Sequence, residues 1–165
     1  MVSSTGRSEA EFDGLVLDPS PDGTKLLYVS WSTGAEGRLH IVDLKTRQDA
    51  LLPVEGMPSP YAMNRAWFSP DGAFILFDFF DESGDHWGLI PATGGRAIRL
   101  GPKWPSGSEA IWAPDGRSVL ALYPQTDGPS ELRLLDLTGQ GADRTLQVDV
   151  PYLPEWQRVA VSATP

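Results

Sequence analysis

The chain has 165 residues, 41% hydrophobic and 21% charged, the composition of one globular domain able to bury ~70% of its unfolded surface. Its net charge of −9, from 22 acidic and 13 basic residues, repels phosphate backbones and anionic lipid, which disfavours nucleic-acid and membrane-surface roles. The absence of cysteine excludes disulfides, thiolate metal sites and cysteine nucleophiles.

Residues 1–13 read as a polar leader without the apolar stretch of a secretory signal. No apolar run approaches the ~20 residues of a membrane-spanning helix. The chain as written is therefore expected to be soluble and to stay in the cytoplasm.

The first repeat begins after this leader. Ser20–Gly23 reads Ser-Pro-Asp-Gly and is followed by the apolar run Leu26–Val29, a polar loop, a second run Leu39–Leu44 and a weaker one at Leu51–Leu52. The pattern returns at Ser69–Gly72, with runs at Phe74–Phe77, Trp87–Ile90 and Ile98–Leu100. It returns again at Ala113–Gly116, with runs at Val119–Leu122, Leu132–Leu137 and Leu146–Val148. Pro21, Pro70 and Pro114 stand 49 and 44 residues apart, and Trp67, Trp112 and Trp156 stand 45 and 44 apart. Four short strands every ~45 residues is the period of a β-propeller blade.

The turn itself has a mechanism. Proline pre-sets φ at the second position of a type I turn, aspartate tolerates the third, and glycine takes the left-handed conformation after it. The expectation is a three-residue hairpin loop closed by a bulge, with Gly23, Gly72 and Gly116 at positive φ. Trp67 and Trp112, just ahead of their turns, should be largely buried between neighbouring blades.

Trp67–Gly72 and Trp112–Gly116 resemble the repeat of TolB-like propellers, whose strands close on aspartate, as at Asp43 and Asp136 here. The ending Leu153–Gln157 resembles the terminal segment of many such proteins. The likeness covers about residues 14–157, with departures at Asp18, in the tryptophan position, and at Pro91, in an aspartate position. It implies an all-β fold of three four-stranded antiparallel blades (14–54, 64–101 and 109–148), one extra strand at 151–157 and a tail at 158–165. Three blades cannot close a ring, since known rings start at about four. The end blades are thus expected to show bare apolar faces, and the chain to be a partial propeller or half of a six-bladed ring. The resemblance also implies modules for protein–protein contact, often periplasmic or secreted in bacteria, and gating domains of prolyl-oligopeptidase-type peptidases.

Candidate chemistry is sparse. There is no Gly-x-Ser-x-Gly nucleophile elbow, and Ser83, Asp85 and His86 are neighbours in a turn, where triad geometry is not expected. The stretch Asp78–His86 offers hard oxygen ligands and an imidazole. An EF-hand loop begun at Asp81 fails at His86, where glycine is needed, and at Ala92, where glutamate is needed. A solvated loop is the simpler reading. His40 lies mid-strand, opposite in face to Leu39 and Ile41, and is expected to face solvent. Trp31 and Trp104 fall in loops outside the tryptophan period. With Trp156 they are the candidate partner contacts, although covering the end of a blade would serve as well. The sequence thus favours a non-enzymatic interaction module, without metal or cofactor, completed by a second copy or a protein partner. The alternative is a propeller that gates or regulates an enzyme.

Overall fold

The computed structural model describes residues 14–31, 37–57, 62–125, 127–138 and 143–146, which contain strands and turns but no helix. In chain order the strands are β1 (Leu15–Pro19), β2 (Lys25–Trp31), β3 (Gly37–Asp43), β4 (Asp49–Leu51), β5 (Val54–Glu55), β6 (Ala66–Phe68) and β7 (Phe74–Asp81). They continue with β8 (Gly84–Pro91), β9 (Gly95–Arg96), β10 (Ile98–Trp104), β11 (Glu109–Trp112), β12 (Ser118–Tyr123), β13 (Glu131–Asp136) and β14 (Arg144–Leu146). Three antiparallel sheets result, each of four strands: β1-β2-β3-β4, β6-β7-β8-β10 and β11-β12-β13-β14. They are blades 1, 2 and 3 of a partial propeller, and no sheet closes on itself among the described residues.

In each blade the proline turn joins the first strand to the second. Gly23, Gly72 and Gly116 have φ of 69°, 73° and 65°, the left-handed region that only glycine enters without cost. Their amides close the turns on the carbonyls of Ser20, Ser69 and Ala113 at 2.8, 2.8 and 3.0 Å. The loop is one residue longer than expected: Ser20 N–H bonds the Lys25 carbonyl, enclosing Pro21–Thr24. The aspartate does more than tolerate its place. Its Oδ1 accepts the amide two residues on, from Thr24, Ala73 and Arg117, so each turn is also an Asx turn. The serine hydroxyls of Ser20 and Ser69 add a 2.6 Å bond to the same oxygens. These bonds hold Asp22 down to about pKa 2 and lower Asp71 as well.

Two cores lie between the blades, because side chains alternate between the faces of a strand. Leu27 and Leu39 of blade 1 meet Ile75, Phe77, Phe79 and Ile90 of blade 2, all essentially buried. On its other face, blade 2 presents Leu76, Trp87, Leu89, Leu100 and Trp104 to Ala110, Val119, Ala121 and Tyr123 of blade 3. A row of aromatic rings, Trp67–Trp87–Trp104–Tyr123, crosses this second interface with centroids 5.6, 5.7 and 4.5 Å apart. Gly88 of β8 is opposite Phe77 of β7, and the ring lies directly over the glycine.

The repeated tryptophans join the blades. Trp67 and Trp112 are partly buried and pack against the core between blades 2 and 3. Trp112 Nε1 donates to the Trp67 carbonyl at 3.3 Å, a bond from blade 3 to blade 2. At the junction before it, Asp18 occupies the tryptophan position, and its Oδ2 accepts the Phe68 amide at 2.9 Å. The departure from the repeat therefore keeps an inter-blade hydrogen bond that the later blade donates, with the side chain now the acceptor and the main chain the donor. Desolvation raises the Asp18 pKa against the lowering effect of that bond.

A second tie joins blades 1 and 2. β5 pairs parallel with β9, with Gly95 N–H on the Pro53 carbonyl at 2.8 Å and Ala97 N–H on Glu55 at 2.9 Å.

The bare end faces are not observed. Leu120, Leu122 and Leu132, on the face of blade 3 turned from blade 2, are each under 5% exposed, and Tyr28 and Val42 of blade 1 are also buried. Large exposed apolar side chains are scattered instead over strand edges and ends, as at Leu15, Val16, Leu51 and Ile98. The extra strand at 151–157 and the leader lie outside the described residues. Among the described residues no helix is long and apolar enough to cross a membrane.

Candidate functional site

The site begins with the hairpin of β7 and β8. Its tight turn pairs Asp81 with Gly84, and from there Phe80 with Asp85, Phe79 with His86 and Asp78 with Trp87. Directly opposed residues share a face of the sheet. Asp78, Phe80, Asp85 and Trp87 therefore line the face of blade 2 that looks toward blade 3.

They form one wall of a cavity of about 160 Å³ at the rim between these blades. Asn64 and Arg65, leading into β6, form a second wall, and Ser106–Ser108, leading into β11, form the third. Asp78 fixes the walls together. Its Oδ1 accepts the amides of Asn64 and Arg65 at 3.0 and 2.7 Å, while Arg65 Nε donates to Oδ2 at 2.7 Å. Arg65 Nη2 then reaches across to the Ser108 carbonyl at 3.2 Å, and its guanidinium lies 5.3 Å over the Trp87 ring. The Asp85 carboxylate is different: it is half-buried, and among the described residues no hydrogen bond or ion pair reaches it. Beside it Phe80 is 45% exposed.

The acidic residues of the Asp78–His86 stretch, weighed above as hard oxygen ligands, have other tasks. Asp78 holds Arg65, and Asp81 bonds the Ser83 hydroxyl and amide and Arg99 Nη2 at 3.0 Å, so its pKa is lowered. No three His, Cys, Asp or Glu side chains among the described residues are arranged to hold a metal ion. Ser83 Oγ does reach His86 Nε2 at 2.8 Å, but Asp81 approaches the same nitrogen at 3.3 Å. A triad needs the carboxylate on the other nitrogen. His86 Nδ1 is buried and has no partner.

Triad order appears elsewhere, at a place the sequence reading missed. On blade 1, Ser30 Oγ lies 3.0 Å from His40 Nε2, and His40 Nδ1 lies 3.1 Å from Asp49 Oδ1. Tyr28 stacks on the imidazole at 4.7 Å and donates its hydroxyl to Asp49 Oδ2 at 2.7 Å. His40 is thus no solvent-facing histidine, with a side chain only 17% exposed. Acyl transfer further requires donors aimed at the developing oxyanion. Ser30 sits within the ladder, whose N–H groups lie in the sheet plane, perpendicular to the side chains. The bonds of this group link β2, β3 and β4.

The three candidate partner contacts separate. Trp31, at the end of β2, is 46% exposed. Trp104 is a correction: it belongs to β10, is 0% exposed and donates Nε1 to the Leu100 carbonyl at 2.7 Å, so it fills the core between blades. Trp156 lies outside the described residues.

The sequence matches no protein-family model, and no curated protein matches it. Solved structures do match. The protein assigned as a TolB from Agrobacterium tumefaciens superimposes with a TM-score of 0.63 at 17% identity, covering 83% of this chain and 50% of that one. The β-propeller domain of the Trilobed protease from Pyrococcus furiosus gives 0.62 at 14% identity, covering 84% and 44%. An acylaminoacyl peptidase gives 0.61 at 17% identity, covering 84% and 25%. The fold is that of a TolB-like β-propeller, and the chain spans half or less of the length of each of these structures.

Proposed function

We propose that the chain is a non-enzymatic interaction module of TolB-like blades, and that its ring is completed by a second copy or by a partner supplying further blades. The observation that carries this reading is the asymmetry of packing. Blade 2 is covered on both faces by its neighbours, whereas among the described residues blades 1 and 3 share no apolar cluster with each other. A two-fold axis along the channel would join two three-blade arcs into a six-bladed ring, each first blade meeting the partner's third. Val16, directly opposed to Tyr28 on the face of blade 1 turned from blade 2 and 50% exposed, would take part in such a joint. Light scattering on dilute protein tests this: twice the 17.9 kDa chain mass is expected. A sharp, well-folded monomer would remove self-association from the reading.

A second reading is a propeller that gates an enzyme. It is favoured by the likeness to the propeller of a protease and to an acylaminoacyl peptidase. A hydrolase domain in the same reading frame would decide for it.

A further inference from the structure

Three times in this structure an arginine lies over an aromatic ring with its head on a carboxylate. Arg65 is 5.3 Å over Trp87 and bonds Asp78 at 2.7 Å. Arg99 is 5.4 Å over Phe79 and bonds Asp81 at 3.0 Å. Arg133 is 4.5 Å over Tyr123 and bonds Glu131 at 2.8 Å. In the first and third cases the ring and the carboxylate are directly opposed across a strand pair, Asp78 with Trp87 and Tyr123 with Glu131. Phe80 and Asp85 stand in the same relation, on the cavity wall, and no described cation sits between them.

We infer that this cavity receives the basic side chain, arginine or lysine, of a partner polypeptide, an inference that rests on the interaction-module reading. The aliphatic stem lies along the exposed Phe80 ring and the cationic head pairs with Asp85, the arrangement the chain already makes with its own arginines. Charge selects the sign of the guest. The cavity holds two carboxylates against one guanidinium, and Arg65 already donates to Asp78 and Ser108. An anion would have to face Asp85 unscreened. Size selects its scale: about 160 Å³ suits one side chain, whereas pockets for whole small molecules run to ~300–1,000 Å³. The net charge of −9 steers a basic segment toward this surface.

The experiment is an amide NMR titration of the full chain with acetyl-Gly-Arg-Gly-amide and with the same peptide carrying neutral citrulline. Saturable shifts at Phe80, Asp85 and Gly107 are expected with arginine, and weaker binding with citrulline. Asp85→Asn should weaken the arginine peptide about fivefold, and Phe80→Ala about two- to fivefold. Glu82→Gln, an exposed carboxylate in the same hairpin but outside the cavity, should leave binding unchanged. Equal binding of citrulline, or an Asp85→Asn variant that folds with a dispersed spectrum and binds normally, overturns the inference. So does an equal loss in Glu82→Gln, which would mean general attraction to an acidic surface. Light scattering separates the two readings. A monomeric mass argues against ring completion whatever the titration gives, while a failed titration with a doubled mass removes only the arginine site.

Discussion

Gly88→Ala should be strongly destabilising for a residue that makes no turn. A Cβ at this position would lie 2.4 Å from Phe77 Cζ and 2.8 and 2.9 Å from the two Cε atoms. The ring has little room to withdraw, because Phe77 is fully buried, 5.8 Å from Phe79, in the core shared with Leu27 and Leu39 of blade 1. Overpacking of this kind costs about 1–3 kcal/mol. The smaller backbone entropy of alanine in the unfolded chain offsets ~0.4–1 kcal/mol of that. A net loss of about 1–2 kcal/mol remains, which lowers Tm by roughly 2–8 °C in a domain of this size. Phe77→Leu alone should cost on the order of 1–2 kcal/mol through lost burial. In the double variant the smaller side chain makes room for the new methyl, so the second substitution should add almost nothing. Urea unfolding followed by tryptophan fluorescence on the four proteins measures the coupling. Losses that add to within ~0.5 kcal/mol would refute the steric account, as would a Gly88→Ala protein more stable than the parent.

Trp112→Ala should cost about 3 kcal/mol, since it removes both packing and the bond to the Trp67 carbonyl; an unchanged melting temperature would mean that the ring is not part of the blade junction. Gly72→Val should lose at least ~1–2 kcal/mol more than Ala73→Val, because only the first forces a β-branched residue to φ 73°; equal melting temperatures would remove the turn assignment. Asp18 carries a raised pKa from desolvation, so its ionised form opposes folding and protonation relieves it. Asp18→Asn, which keeps an acceptor for the Phe68 amide, should raise stability at pH 7 by less than about 1 kcal/mol. That gain should vanish by pH 3, where Asp18 is protonated in the parent, and an equal gain at both pH values would contradict the desolvation account. Asp22 has the opposite sign: with its folded pKa lowered to about 2, the stability it contributes is present above ~3.9 and lost as pH falls toward 2.

The blades were legible because their signals are local. Pro-Asp-Gly needs only adjacent residues to form its turn, and the alternation after it needs only one strand. Trp104 misled because its strand does not end at Leu100. Gly101, at φ 69°, accompanies a register shift between Leu100 and Trp104, and the ring lies in the core. That shift depends on what blade 3 offers to fill. Phe80 and Asp85 were legible in principle, since a turn between Asp81 and Gly84 fixes every pair beyond it. Ser30, His40 and Asp49 were not, because their register comes from three separate strands. The pairing of β5 with β9 is two residues long and joins positions about 40 apart, which leaves no periodic trace.

That short pairing sets how the arc would come apart under load. Between blades 1 and 2, main-chain bonds from Gly95 and Ala97 act alongside the packed core. Between blades 2 and 3 the polar ties among the described residues are side-chain bonds from Arg65 and Trp112. Pulled by its ends, the chain has its weaker seam at the second junction. Blade 3 would peel away while the first two yield together. The rim cavity straddles that seam, so a guest lodged there would act as a pin across it.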